Sequence, residues 1–394
     1  MLKGIRVVEL ASYVAGPGAC GLLADWGAEV IKVEPKGGDP FRQFFASLGR
    51  DDERNAVFET DNRGKRSIAL DLADDDDAAT MRSLIASADV FVTNSRPASL
   101  ARIGLDWETL SKLKPNLIFA NFTGYGPTGA DAERPGFDIT AFWARSGLCS
   151  LMTAKGEDPV VLRTGVGDHM AALGLAAGVT TALFHRERTG EGQKIETSLL
   201  RMGVYAGASE HAIQLQMGKL ASTKARSEQI NPLNNFFRTA DARWFVTVPR
   251  QGIGDWPRLV RAVGRPELLD DPRFESFKSR RANGAALVEV LDEAFGSMSF
   301  DDAASALERE GLIWGPVLTV AQAAADPQAA EAGCFVEVED ASGGNFRVPN
   351  TPLDFGAQVA KQIVRAPRLD EHGAAIRAEL DRDAPLSRFA AAAH

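Results

Sequence analysis

Between Ile5 and Phe122 short β-prone runs alternate with helical stretches, and this rhythm limits the fold more than any other feature of the chain. Ile5-Arg-Val-Val-Glu-Leu10, Glu29-Val-Ile-Lys-Val-Glu34, Ser67-Ile-Ala-Leu-Asp-Leu72, Asp89-Val-Phe-Val-Thr-Asn94 and Leu117-Ile-Phe-Ala-Asn-Phe122 read as strands, with helices near Thr80–Ala88 and Trp107–Lys112 between them. Strands joined through helical crossovers run parallel, so the expectation is an α/β fold: a Rossmann-like doubly wound parallel sheet with its ligand off the strand C-termini.

The first crossover, Tyr13-Val-Ala-Gly-Pro-Gly-Ala-Cys-Gly21, reads as a glycine-rich turn leading into a helix over Leu22–Trp26. Gly16-Pro-Gly18-Ala-Cys-Gly21 matches the G-x-G-x-x-G pattern of dinucleotide-binding folds, and Glu34 ends the second strand where a ribose-binding acid would stand. Five residues separate Leu10 from Gly16, however, whereas that fingerprint sets its first glycine against the strand end, and Pro17 removes a backbone donor. An NAD-dependent dehydrogenase is therefore the distant alternative.

Downstream, Arg163-Thr-Gly-Val-Gly-Asp168-His-Met-Ala-Ala-Leu-Gly174 places an acid after Gly-x-Gly and directly before small and apolar residues. Asp168 belongs at or beside a helix N-terminus, facing unpaired amide N–H groups. Two readings are open there: an ordinary helix cap, or a carboxylate aimed by the helix terminus and able to attack an acyl group. His169 is assigned to packing or capping, and Ala171, Ala172, Gly174, Ala176, Ala177 and Gly178 to close helix packing.

Lys194–Leu199 reads as a strand, followed by one long helix through Gln216. The chain's 394 residues exceed one ordinary core. The expected division is a large α/β domain over 1–220, a smaller α+β domain over 221–330, and a C-terminal return to the large domain over 331–394. The small domain opens with a strand at Trp244 and continues in helices near Trp256–Val263, Ala285–Phe295 and Phe300–Glu310. The return carries strands Phe335–Glu339, Phe346–Pro349 and Pro352–Phe355 and a helix near Glu371–Leu380.

A net charge of −9 argues against nucleic acid or an anionic membrane as a partner. No uncharged apolar run reaches the roughly 18 residues of a spanning helix, and the N-terminus lacks a signal-peptide core. Cys20, Cys149 and Cys334 are dispersed, and none of the five histidines pairs with another at i, i+4, so neither disulfides nor a metal site is expected. A reducing cytoplasm is the expected compartment.

The turns after the strands hold most of the chemistry. They are Glu34-Pro-Lys-Gly-Gly-Asp-Pro-Phe-Arg42, Asn94-Ser-Arg-Pro97 with Leu100-Ala-Arg102-Ile-Gly104, and Gly124-Tyr-Gly-Pro-Thr-Gly129, with Asn62-Arg-Gly-Lys-Arg66 ahead of the third strand. Each alone passes for a solvated turn; together they crowd basic and glycine-rich segments onto one sheet edge.

Read in order, these segments resemble the family III coenzyme A transferases, which include formyl-CoA and carnitine-CoA transferases and are related to the α-methylacyl-CoA racemases. The resemblance runs through Leu2-Lys-Gly-Ile-Arg-Val-Val-Glu-Leu10, Ala15-Gly-Pro17, Leu23-Ala-Asp-Trp-Gly-Ala-Glu-Val-Ile-Lys-Val-Glu-Pro35, Lys65-Arg-Ser-Ile-Ala-Leu-Asp-Leu72, Asn94-Ser-Arg-Pro97, Gly136-Phe-Asp138, Gly167-Asp168 and Arg188-Thr-Gly-Glu-Gly-Gln193. It implies an interlocked homodimer, no permanently bound cofactor, an acyl-CoA and a carboxylic acid as substrates, and Asp168 as the catalytic nucleophile. It places CoA contacts at Val14, Ala15, Leu70, Asn94, Ser95 and Arg102, with Lys36 and Arg42 on the neighbouring turn. It also implies a mobile glycine loop at Gln251-Gly252-Ile-Gly254.

Two departures narrow the substrate. Phe137 stands where the racemases carry a histidine base, and an apolar ring cannot carry a proton. Ala15 stands where oxalate-using transferases carry a glutamine, which argues against oxalate. Asp138 is either a secondary acid or a turn cap. A racemase or acyl-CoA isomerase is the near alternative, and a non-catalytic CoA-binding protein a third.

Overall fold

The computed structural model describes residues 1–44, 55–250, 254–339, 344–356 and 364–382. The chain divides into two compact units: Met1–Cys149 with Val160–Leu220 and Gly333–His394, and Ser150–Pro159 with Ala221–Ala332.

The first unit is built on six strands, β1 (Arg6–Leu10), β2 (Glu29–Glu34), β3 (Arg66–Ala69), β4 (Val90–Thr93), β5 (Ile118–Thr123) and β6 (Gln193–Ser198), in the order β3-β2-β1-β4-β5-β6. Every neighbouring pair is parallel, so the expected doubly wound sheet is present. The winding reverses between β1 and β4 and leaves a crevice beyond their C-terminal ends. The helices that matter for the site are α1 (Ala15–Asp25), α2 (Ala56–Asn62), α3 (Asp75–Ser87), α4 (Pro97–Arg102) and α5 (Val166–Thr189). Asp74 starts α3 by accepting from the N–H groups of Asp76 and Asp77, and Pro97 opens α4 where a missing N–H costs nothing.

Strands covered on both faces are near-continuous in apolar residues, and Val7, Val8, Val30, Ile31, Val90, Phe91 and Val92 are buried accordingly. Two charges interrupt them: Glu9 and Lys32 are both fully buried. Lys32 Nζ lies 2.9 Å from Glu9 Oε1 and 2.9 Å from Asp39 Oδ2, and donates to the Ala11 carbonyl at 3.0 Å. Lys65 Nζ donates to Glu9 Oε2 at 2.7 Å, the Pro17 carbonyl at 2.8 Å and Asn62 Oδ1 at 3.0 Å. Lys65 thus satisfies its three donors, while Lys32 makes two hydrogen bonds and a close ion pair with Asp39, which is how a buried charge is compensated. Between them they hold Ala11 and Pro17, on either side of the turn after β1.

Three local expectations are corrected. The helix of the first crossover starts at Ala15, so Gly16, Pro17, Gly18 and Gly21 lie within it rather than in a turn. Pro17 is tolerated because the first helical N–H groups have no intrahelical partner. The single helix expected through Gln216 is two, α6 (Leu199–Ala206) and α7 (Ala208–Met217), broken at Gly207, a poor helix former. Pro352–Phe355 is not a strand; Trp26 Nε1 donates to Thr351 Oγ1 at 2.9 Å and the Phe355 ring meets the Trp26 ring edge-on at 5.8 Å, so side chains anchor this segment.

The second unit has an antiparallel sheet of β7 (Asn235–Arg238), β8 (Trp244–Thr247) and β9 (Trp314–Val317). Phe237, Phe245, Phe274 and Phe295 form its aromatic core, covered by the helices Asp255–Ala262, Gly284–Gly296 and Phe300–Arg309. The hairpin Phe335–Glu339 with Asn345–Pro349 belongs to the first unit. No helix among the described residues is long and apolar enough to cross a membrane.

Candidate active site

Asp168 is the third residue of α5, and the two glycines before it have separate reasons. Gly165, ahead of the first turn, has φ 92°, a left-handed backbone that glycine adopts without strain. Gly167 faces the Phe142 ring, and a Cβ there would lie 2.5 Å from Phe142 Cγ.

Asp168 itself caps nothing. Among the described residues its carboxylate takes no hydrogen bond and no ion pair. Asp138, 3% exposed, does the capping: its Oδ2 accepts the Gly165 N–H at 2.7 Å. Burial pushes Asp168 up to about 7, the negative charge of Asp138 adds to the rise, and His169 opposes it. The result is a carboxylate poised near neutrality.

His169 does more than pack or cap. Its Nδ1 lies 2.7 Å from the Gly165 carbonyl and its Nε2 3.0 Å from Asp61 Oδ1. Both partners can accept, so the geometry suits a hydrogen on each ring nitrogen, as in an imidazolium. The hydrogen bond to Asp61, which is itself buried, accordingly holds His169 up at about 9.

The glycines of α1 serve this arrangement. A Cβ at Gly18 would meet Ala172 Cβ at 3.2 Å and Asp61 Oδ1 at 3.3 Å, and one at Gly21 would meet the Asp61 carbonyl oxygen at 2.8 Å. One at Gly16 would meet Ala11 Cβ at 2.7 Å. The G-x-G-x-x-G match is therefore a close-packing face against α2 and α5. Glu34, at the ribose position of the dinucleotide reading, is held instead by Arg42 and by the Ser67 hydroxyl, both at 2.7 Å.

At the crevice between β1 and β4, Ser12 and Asn94 bond reciprocally: Ser12 N–H to Asn94 Oδ1 at 3.1 Å, and Asn94 Nδ2 to the Ser12 carbonyl at 2.8 Å. Val14 and Ala15 follow β1, Leu70 follows β3, and Ser95 follows Asn94, so these five residues gather on the C-terminal edge of the sheet. Tyr13 has φ 66°, and its ring meets Phe137 edge-on at 5.6 Å, joining the β1 turn to the Asp138 turn.

The basic residues divide. Arg102, at the end of α4, is exposed and makes no ion pair among the described residues. Arg42 is committed to Glu34 and the Pro367 carbonyl, and Lys36 to Asp77 at 2.8 Å. In the Asn62–Arg66 segment, Arg63 pairs with Asp25, Lys65 with Glu9, and Arg66 with Glu29 and Glu379. Gly252 lies outside the described residues; Gly254, with φ 77°, precedes the helix Asp255–Ala262 of the second unit.

Sequence reading missed Asp61, for which no local signal exists. The buried charge cluster did have one: Glu9 and Lys32 stand inside runs that must be buried, and a charge there requires a partner.

The sequence matches a family described as CoA-transferase family III over residues 2–373. The chain belongs to that family. This family III CoA-transferase is 32% identical over 376 residues to (R)-2-hydroxy-4-methylpentanoate CoA-transferase of Clostridioides difficile, covering 94% of this chain and 93% of that enzyme. It is 38% identical over 290 residues to cinnamoyl-CoA:phenyllactate CoA-transferase of Clostridium sporogenes, covering 72% and 70%. A CAIB/BAIF family protein from Brucella suis shares its fold with a TM-score of 0.86 at 33% identity, covering 96% of this chain and 99% of that one.

Proposed function

We propose that this transferase moves coenzyme A from an acyl-CoA thioester to a free carboxylic acid through a covalent intermediate on Asp168. The observation that carries the reading is a carboxylate that takes no hydrogen bond among the described residues, poised near neutrality, at the opening turn of a long helix. An Asp168 oxygen attacks the thioester carbonyl, the C–S bond breaks, and CoA thiolate leaves behind a mixed anhydride. The thiolate then attacks the Asp168 carbonyl and expels the donor acid, giving an aspartyl-CoA thioester. The incoming carboxylate reverses both steps and restores Asp168. No proton is gained or lost overall. The N–H groups opening α5 are suited to the oxyanions that develop along the way.

The CoA would lie along Val14, Ala15, Leu70, Asn94 and Ser95, with Arg102 on its phosphates, since Arg102 is exposed and makes no ion pair among the described residues. Tyr13 and Phe137 give the acyl group an apolar surface, in keeping with the 4-methylpentanoate, cinnamoyl and phenyllactate groups in the relatives' names. A homodimer is supported by α7, which buries no side chain, and by Leu215, Met217 and Tyr205, exposed at 84%, 70% and 78%. A cytoplasmic setting suits three dispersed thiols.

Incubation with a donor acyl-CoA and no acceptor should add a CoA-sized mass to the Asp168 peptide, and hydroxylamine should trap the same residue. Asp168→Asn should fold, bind CoA and show neither adduct nor turnover. Wild-type turnover by that variant would overturn the assignment.

A further inference from the structure

We propose that His169 is a positioning residue for Asp168: a fixed cation, anchored by Asp61, that keeps the nucleophile ionised and holds the turn from which its helix starts. The inference rests on the reading that Asp168 is the nucleophile. The geometry that carries it is the pair of contacts at opposite sides of one ring, 2.7 Å to the Gly165 carbonyl and 3.0 Å to Asp61 Oδ1, neither of which can donate to the ring while Asp61 is ionised.

The charged groups bearing on Asp168 are few. Asp138 approaches from the turn before Phe142, Asp61 from α2, and His169 from α5 itself; α1, packed against the same place, presents the uncharged Gly18. Three carboxylates thus sit around one site, and among the described residues His169 is the cation whose charge opposes the rise at Asp168. Without it the two neighbouring acids would favour a protonated Asp168, and a protonated carboxyl does not attack a thioester. An imidazolium locked between two acceptors is also unable to take a proton, which suits a reaction cycle that moves none. Asp61 is the anchor: it is 2% exposed, and the glycines of α1 make room for it. Its Oδ2 is buried with no hydrogen-bond partner, so the ion pair with His169 is its main compensation.

The test uses the full chain. Long-range proton–nitrogen NMR of the imidazole rings is feasible with five histidines, His169→Gln assigning the resonance. Both His169 nitrogens should stay protonated through pH 8, where an unperturbed ring, titrating near ~6.5, is neutral. Asp61→Asn should return His169 to a single neutral tautomer at that pH. A wild-type His169 that titrates near ~6.5 overturns the inference, whatever happens at Asp168.

The kinetic arm follows kcat from pH 5.5 to 9. In His169→Gln the acid limb should move to higher pH, with turnover at pH 6.5 falling about sixfold further than at pH 8.5 for a one-unit displacement from about 7. His169→Lys, which restores a cation, should move the limb back. A uniform loss across the pH range would mean a purely structural role and overturn the proposal. Failure of the functional reading is seen separately, as turnover retained by Asp168→Asn.

Discussion

Asp138 Oδ2 accepts the Gly165 N–H at 2.7 Å while its Oδ1 accepts the Ile139 N–H at 2.8 Å, so one buried carboxylate ties the π-helical turn Asp138–Ala144 to the start of the Asp168 helix. Capping thereby falls to Asp138, which leaves the Asp168 carboxylate to the nucleophilic role proposed for it. The capping acid also raises its neighbour, because like charges disfavour joint ionisation.

Asp138→Asn is expected to keep one of these two bonds and to lose about 1–2 kcal/mol of stability in urea unfolding. It should also shift the acid limb of turnover to lower pH, since a negative charge beside Asp168 is gone. A shift to higher pH would mean that Asp138 acts on Asp168 by some route other than its charge.

Asp168 is raised from 3.8 to about 7 in the folded protein, so between those values the folded state binds more protons than the unfolded chain. Its ionisation therefore costs stability as pH rises through this window. Asp168→Asn should melt higher than wild type at pH 8, with a gain on the order of 2 kcal/mol after solvent screening, and the gain should vanish toward pH 4. Equal melting temperatures across pH 4–8 would show that the acid is not strained by its surroundings.

Gly21→Ala should destabilise by about 1–3 kcal/mol even though alanine is the better helix former, because the new methyl would lie 2.8 Å from the Asp61 carbonyl oxygen. Denaturant unfolding of the variant decides it; a gain in stability would mean that α1 and α2 are not packed so closely.

Arg102 and Arg42 should separate. Arg102→Ala is expected to raise KM for the CoA thioester and leave kcat largely intact, as for loss of uniform binding. Arg42→Ala leaves Glu34, 1% exposed, without its guanidinium and should cost about 3 kcal/mol of stability. Steady-state kinetics and thermal melts of the two variants check both; an unchanged KM for Arg102→Ala would remove it from the CoA site.

The alternation of strands and helices was legible because it is a local property: each strand shows its burial in its own apolar run, and parallel pairing follows from the crossovers between them. The Gly-x-Gly before Asp168 was legible for a similar reason, since a helix start must be preceded by a turn. Helix boundaries at α1 and Gly207 were less so, because glycine reads as a breaker unless the close approach it permits is known.

What the sequence by itself determined is therefore the parallel sheet, the crevice edge and the place of Asp168 at a helix start. Which charges meet was decided only by the tertiary structure. Asp61 and His169 are 108 positions apart, and Glu9 and Lys65 56 apart, and no periodicity spans such distances. Nor does a sequence distinguish Arg102, which makes no ion pair among the described residues, from Arg42, taken by Glu34, because both read as arginines in the segments that follow strands. The physical reason is that burial converts a solvated charge into one that must find a partner, and burial is set by packing between elements remote in the chain.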